Sequence, residues 1–388
     1  MNFTQLFDTI KQQNISGRYI HLDHIKPLLD TLNTNGKVTI VGESVLKRPI
    51  YAYQLGTGTT KILCWSQMHG NESTTTKALF DLFNLLNSSD EIANILRNHF
   101  TFYFIPILNP DGAFLYTREN ANQVDLNRDA QNLSQPESKI LRDIYEAFQP
   151  DYCFNLHDQR TIFGVDNTSK PATVSFLAPS YDEAKHINEV RKKAIHVISS
   201  MHKVLNDYIP GQIGRFDDSF NINCVGDTFQ YLGTPTILIE AGHYQNDYER
   251  EHTRKYVFIA LLSGLLSIYD APIFDIEIDY YMNIPQNSPN FFDFVYKNIK
   301  FNYDHSEIIT NFAVQYKEEL IENKIFFNAF IIKIGELDNF SGHVEVDAKE
   351  ELYTDNLENK PIIGQKADFY LGKTIKVVNG KVVDDAGS

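Results

Sequence analysis

The sequence predicts an α/β protein, a sheet covered by helices on both faces, followed by a small β-rich appendage. Three observations predict it. Runs of β-branched and aromatic residues alternate with helix-length apolar patterns as far as Ile268, the run Phe100–Leu108 is suited to a strand buried on both faces, and the pattern changes after Ile268.

In the lead-in, residues 1–36, Phe7 and Ile10 and then Ile25, Leu28, Leu29 and Leu32 fall at helical spacing before Asn35-Gly36 breaks the pattern. Strands are expected at Lys37–Val41, Ile50–Leu55 and Lys61–Trp65, separated by turns such as Gly56-Thr-Gly58. Thr74–Leu86 carries a wide apolar helix face, and Phe100–Leu108 is a continuous apolar run suited to a strand buried on both sides. Tyr152–Leu156 and Thr236–Ile239 are further strands, and Glu137–Phe148, Asp182–Leu205 and Asp247–Ile268 are helices. Ala271-Pro and Ile284-Pro-Gln-Asn-Ser-Pro289 then interrupt the pattern, so the expected division is 1–272 and 273–388. In the second part a mixed helical stretch leads to short strand-like runs at Ile325–Ile334, Gly342–Val346 and Thr374–Val383.

Composition narrows the function. With 43% hydrophobic and 22% charged residues, the 388-residue chain has the makings of a folded core and is not a disordered one. Its 35 basic and 50 acidic residues leave a formal charge of -15, which repels phosphate backbones and anionic headgroups, so neither nucleic acid nor a membrane is an expected partner. No stretch approaches the roughly 20 consecutive apolar residues needed to span a bilayer. The opening Met1-Asn-Phe-Thr-Gln lacks a basic region followed by an apolar run. Cys64, Cys153 and Cys224 form no CxxC pair and cannot all pair internally, which suits a reducing compartment; a cytoplasmic location and buried thiols are expected.

Chemistry-bearing residues gather where predicted strands end. His69-Gly-Asn-Glu72 follows the strand ending at Trp65, and a His and a Glu three residues apart in a turn can aim nitrogen and carboxylate oxygens at one metal. His157 follows Tyr152–Leu156 in the same manner, and two His with one Glu form a known catalytic zinc set that leaves a position open to water. Asp125-Leu-Asn-Arg128 comes after Asn109-Pro-Asp-Gly112 and Arg118. Asn127 and Arg128 offer an amide and a planar fork suited to a carboxylate. Asp125 is suited to orienting a metal-bound His, and Arg118 to stabilising an oxyanion. Glu240 ends the strand Thr236–Ile239 just before Ala241-Gly-His243, where a carboxylate beside a metal-bound water acts as a general base. Taken singly, the 69–72 segment reads more simply as a surface turn and His157 as a hydrogen-bonded loop residue, the 125–128 segment is also a polar loop, and Glu240 is as readily an ion pair or cap.

Together they resemble the M14 family of zinc carboxypeptidases, from roughly Lys37 to about Ile268. Gly42-Glu-Ser with Arg48-Pro-Ile-Tyr, His69-Gly-Asn-Glu72, Asn109-Pro-Asp-Gly112, Asp125-Leu-Asn-Arg128, His157 and Glu240 occur in the family's order. The resemblance implies a mixed eight-stranded sheet between helices, with 1–272 as the catalytic domain and 273–388 as an appendage. It implies one zinc ion per chain on His69, Glu72 and His157, with Asp125 as the hydrogen-bonding partner of His69. Arg118 matches the family's oxyanion-polarising arginine, Asn127 and Arg128 the pair that binds a terminal carboxylate, and Glu240 the general base. The implied activity is hydrolysis of a C-terminal peptide or similar amide bond in a substrate with a free carboxylate. The aspartoacylase and succinylglutamate desuccinylase relatives, which deacylate N-acyl amino acids, share the HGNE-like and DLNR-like motifs, and a carboxylate-binding module without activity is a third reading.

Departures from the family pattern are visible too. Only 85 residues separate Glu72 from His157, as in the compact, bacterial-type branches, so fewer loops are expected to wall the cleft. Where relatives carry a mobile Tyr, the stretch Arg215-Phe-Asp-Asp-Ser-Phe220-Asn has none. Asp158 stands where many relatives have Ser. In the segment expected to floor the side-chain pocket, Val225 and Gly226 suggest a small apolar pocket, whereas Asp227 would favour a basic side chain.

Overall fold

The computed structural model describes residues 2–32, 36–166, 168–270, 278–303 and 306–383. Eight strands build the main sheet: β1 (Lys37–Glu43), β2 (Pro49–Leu55), β3 (Thr60–Trp65), β4 (Phe100–Ile105), β5 (Tyr152–Asp158), β6 (Val174–Leu177), β7 (Ile213–Arg215) and β8 (Thr236–Ala241). Their spatial order is β1-β2-β4-β3-β5-β8-β6-β7. The pairs β4-β3, β3-β5, β5-β8 and β6-β7 are parallel and the other three antiparallel, so the sheet is mixed.

Alternation along each strand feeds two cores. Ile62, Cys64, Phe102, Phe104, Phe154, Ile237 and Ile239 pack to one side with helices α1 (Phe3–Ile10), α2 (Leu22–Thr31), α3 (Thr74–Leu86), α7 (Glu189–Asn206) and α9 (Glu251–Asp270). Leu63, Trp65, Ile105 and Cys153 point the other way, against α6 (Pro136–Phe148) and α8 (Val225–Tyr231). Two shorter helices, α4 (Glu91–His99) and α5 (Pro110–Leu115), flank β4. No helix among the described residues is long and apolar enough to cross a membrane.

Several element boundaries differ from expectation for local reasons. The apolar run from Phe100 leaves the sheet at Ile105, because Pro106 has no N–H to continue the ladder. The expected helix 182–205 begins only at Glu189, where the Asn188 side chain accepts from the Arg191 N–H and caps it. Strands β6 and β7, four and three residues long, are too short to give a periodic signal.

Contacts divide the chain into two compact units, one of residues 1–160, 165–168 and 172–287, the other of 161–164, 169–171 and 288–388. The expected division at 272/273 lies outside the described residues. In the second unit the expected mixed helical stretch is replaced by two long strands, β9 (Phe291–Tyr303) and β10 (Ser306–Ile321). The helix formers of Lys317-Glu-Glu-Leu320 are overridden by continuous pairing with β11 (Lys324–Ile334). With β12 (Ser341–Asp347) these strands form a sheet in the order β11-β10-β9-β12. A second four-stranded sheet comprises β13 (Tyr353–Thr354), β14 (Phe369–Leu371), β15 (Ile375–Val378) and β16 (Lys381–Val383). Tyr296, Phe312, Tyr353 and Phe369 form an aromatic cluster in this unit's core.

Candidate active site

The site begins where β3 ends. The turn His69-Gly-Asn-Glu72 is closed by the Glu72 N–H donating to the His69 carbonyl at 3.1 Å, and α3 starts two residues later at Thr74. Asn109-Pro-Asp-Gly112 is the platform beneath it. The buried Asn109 amide donates to the Met68 carbonyl at 3.2 Å while its Oδ1 accepts from the Gly112 N–H at 2.9 Å. Residue 70 must be glycine because a Cβ there would sit 1.9 Å from the backbone carbon of Gly112. Arg48 and Asp111, 3.1 Å apart, tie the β1–β2 turn to the same platform.

Three side chains converge above this platform. His69 Nδ1 lies 2.9 Å from Glu72 Oε1, His157 Nδ1 lies 2.9 Å from Glu72 Oε2, and the two Nδ1 atoms are 3.1 Å apart. All three residues are buried, and one ligand atom from each lies within 4.8 Å of the others. Asp125 Oδ1 is 2.9 Å from His69 Nε2, which assigns the ring proton to that nitrogen and leaves the Nδ1 lone pair facing the cluster. Two imidazole nitrogens and a carboxylate crowded in this way make an electron-rich hollow that suits a cation. The N,N,O donor set is one that holds zinc, whose ligand atoms in a tetrahedral shell at about 2.0–2.1 Å stand roughly 3.3 Å apart. The residues fit the ion.

Electrostatics follow from the crowding. Burial disfavours charge on Glu72, but His69 and His157 beside it hold its carboxyl well below the usual carboxylate range. Asp125 is likewise held low, against its burial, by its bond to His69 and by Arg118. Glu240 goes the other way: burial first, then the neighbouring Glu72 and Asp158 carboxylates, push its pKa well up. Its position is set by the sheet, since Glu240 on β8 is the register partner of His157 on β5.

Arg118, expected near the metal, lies 3.2 Å from Glu72 Oε1 through Nη1 and 3.0 Å from Asp125 Oδ2 through Nη2. Asp125 Oδ1 also accepts from the Asn127 N–H at 2.8 Å, which links the 125–128 turn to the cluster. The Asn127 Oδ1 accepts from the Val225 N–H at 3.0 Å, joining that turn to the start of α8. Arg128 is exposed, its Nη1 donating to the Asn127 carbonyl at 2.7 Å, and it does not touch the His-Glu-His cluster.

Of two further residues in this neighbourhood, Asp158 stands out in the sequence only as a departure from the family pattern and Arg250 not at all. Asp158 accepts from the Thr74 and Thr75 N–H groups, and the buried Arg250 donates to the carbonyls of Ala241 and Gln159. Arg250 lies 93 residues beyond His157 in a loop with no motif, so nothing local marks it. The stretch 215–221 is tied down through Asp218, which pairs with Arg191 at 2.5 Å and Lys185 at 2.9 Å. All three cysteines are free; Cys64 and Cys153 are buried as expected, but Cys224 is only half-buried at the α8 N-cap, its thiol pushed up to about 11 by burial.

Residues 25–132 match the family described as zinc carboxypeptidase, Peptidase_M14. That segment, which holds His69 and Glu72, is what the chain shares with the family. Similarity to curated carboxypeptidases is confined to short segments. It is 27% identical over 100 residues to probable carboxypeptidase 2 of Arthroderma benhamiae, covering 25% of this chain and 19% of that one. It is 36% identical over 94 residues to carboxypeptidase SOL1 of Arabidopsis thaliana, covering 20% and 19%. The match thus spans about a fifth of these relatives' length. The zinc carboxypeptidase fold extends further. A metallo-carboxypeptidase from Burkholderia cenocepacia superposes with a TM-score of 0.52 at 19% identity, over 64% of this chain and 68% of that one. Carboxypeptidase A from Helicoverpa armigera gives 0.52 at 15% identity, over 69% and 80%.

Proposed function

We propose that this protein is a zinc metallocarboxypeptidase that hydrolyses the C-terminal peptide bond, or a similar amide bond, of a substrate with a free carboxylate. The observation that carries the reading is the convergence of His69, Glu72 and His157, with Glu240 in register beside His157.

His69 Nδ1, His157 Nδ1 and the Glu72 carboxylate would hold one zinc ion. Zinc bound there would supply Lewis acidity toward a scissile carbonyl and lower the pKa of a water toward roughly 7. Glu240 takes the proton of the attacking water on its carboxylate and returns it to the leaving amine. Asp125 keeps the His69 ring proton on Nε2. Arg118 turns from Glu72 and Asp125 to the oxyanion that develops on the carbonyl. Arg128, exposed on the 125–128 turn, grips the terminal carboxylate with the Asn127 amide, so that the last peptide bond is the one presented for attack.

The test is an assay of zinc-loaded protein against a C-terminally varied peptide library and, in parallel, N-acyl amino acids. Release of C-terminal residues is expected. Turnover of N-acyl amino acids alone would assign the site to the deacylase chemistry of the aspartoacylase type, and zinc binding without turnover of either would make it a carboxylate-binding module.

A further inference from the structure

We propose that Asp158 and Arg250 form a buried bracket that positions Glu72, His157 and Glu240 together. This rests on the metal reading of the site and adds two positioning residues to it.

Asp158 clasps Glu72 from two directions. Its backbone N–H donates to Glu72 Oε2 at 3.1 Å, and its carboxylate accepts from the Thr74 and Thr75 N–H groups at 2.9 and 3.3 Å. Ser73 occupies the N-cap of α3 but makes no side-chain capping bond, so the cap is supplied across the fold by Asp158. The direction in which Glu72 leaves its turn is thereby tied to the residue that follows His157.

Arg250 closes the other side. Its Nη1 donates to the Ala241 carbonyl at 2.6 Å and its Nη2 to the Gln159 carbonyl at 2.5 Å, while Nη1 lies 3.7 Å from Asp158 Oδ2. Ala241 is the register partner of Asp158, so the guanidinium joins the last residue of β8 to the residue just past β5, immediately beyond the pair His157 and Glu240. Both side chains are at least 98% buried, and Arg250 holds a left-handed backbone conformation with φ of 57°. Such a conformation in a long side chain persists only where its surroundings over-determine it. None of the proton or carboxylate contacts proposed above uses either residue.

Zinc affinity tests the bracket without reference to turnover. Metal-free wild-type protein, Arg250→Met and Asp158→Asn are titrated with zinc against a chromophoric chelator, and folding is followed by circular dichroism. Zinc is expected to bind roughly 10–100-fold more weakly to both variants, the range typical of lost support behind metal ligands. The Arg250 arm separates positioning from charge, because removing a buried cation beside a cation site would by electrostatics alone tighten zinc binding. Equal or tighter binding by Arg250→Met overturns the proposal. If that variant does not fold, Arg250→Lys keeps the charge but reaches only one of the two carbonyls, and an affinity within about twofold of wild type overturns the proposal equally. Asp81→Asn removes another buried carboxylate, paired with Arg254 at 2.6 Å, and controls for general destabilisation; it should lose stability but not zinc affinity. Failure of the wild-type protein to bind zinc would sink the metal reading itself, whereas tight wild-type binding with unaffected variants sinks the bracket alone.

Discussion

Glu240 and His157 are register partners on the adjacent parallel strands β8 and β5, flanked by the pairs Ile239–Leu156 and Ala241–Asp158. Side chains of paired residues project to the same face, so sheet pairing itself sets the candidate base beside a candidate ligand, with no loop to adjust. The expected consequence is a clean separation of roles. Glu240→Gln should lower kcat by roughly two to four orders of magnitude, the contribution of a positioned general base, with zinc stoichiometry by metal analysis unchanged. Near-normal turnover would remove Glu240 from the chemistry.

Arg128 is exposed on the 125–128 turn, its Nη1 bonded to the Asn127 carbonyl. Arg128→Ala should therefore leave zinc binding intact and raise KM selectively for substrates with a free carboxylate, by roughly 10- to 100-fold for a lost charge-assisted bond. Comparing each peptide with its C-terminally amidated form provides the measurement. Equal losses on both forms would contradict a role in gripping the terminus.

The approach of the 69–72 turn to the 109–112 platform leaves no room for a methyl group at Gly70. Because the atoms met are backbone, they cannot swing aside, and Gly70→Ala should cost about 3 kcal/mol or more of stability. Urea denaturation of the metal-free protein would show it as a lower midpoint. A wild-type midpoint would mean that the platform moves freely against the turn.

Acid stability depends on Glu251 at the start of α9, whose carboxylate lies 2.7 Å from Lys77, 2.8 Å from Lys11 and 3.1 Å from Arg254. Burial opposes its ionisation, but Lys77 and its other cationic partners bring its pKa down to about 2 from 4.5. A folded-state pKa below the unfolded one means stability that is present above about pH 4.5 and lost as pH falls toward 2, here up to about 3 kcal/mol. Glu251→Gln should thus be much less stable than wild type at pH 7, with the gap narrowing across that window. Denaturant titrations at pH 7, 4 and 3 measure it, and a gap independent of pH would exclude the ionic origin.

By itself the sequence determined the main architecture and the chemistry available to it. The apolar runs of β3, β5 and β8 and the helices between them are local patterns, and His157 and Glu240 near the ends of β5 and β8, with His69 in the turn four residues past β3, are legible as departures from that pattern. Short motifs such as Asp125-Leu-Asn-Arg128 carry their geometry within a single turn, held by the Asp125 side chain accepting from the Asn127 N–H. What only the tertiary structure decided involves partners far apart in the chain or competing long-range pairings. Asp158 caps a helix 84 residues before it, Arg250 reaches the carbonyls of Ala241 and Gln159 at the ends of two neighbouring strands, and β9 and β10 become strands because each finds a neighbour along its whole length, although their composition is ambiguous. Periodicity records which face of an element is buried; it holds no information about which distant donor satisfies a given acceptor, because that is settled only when the folded chain brings them together.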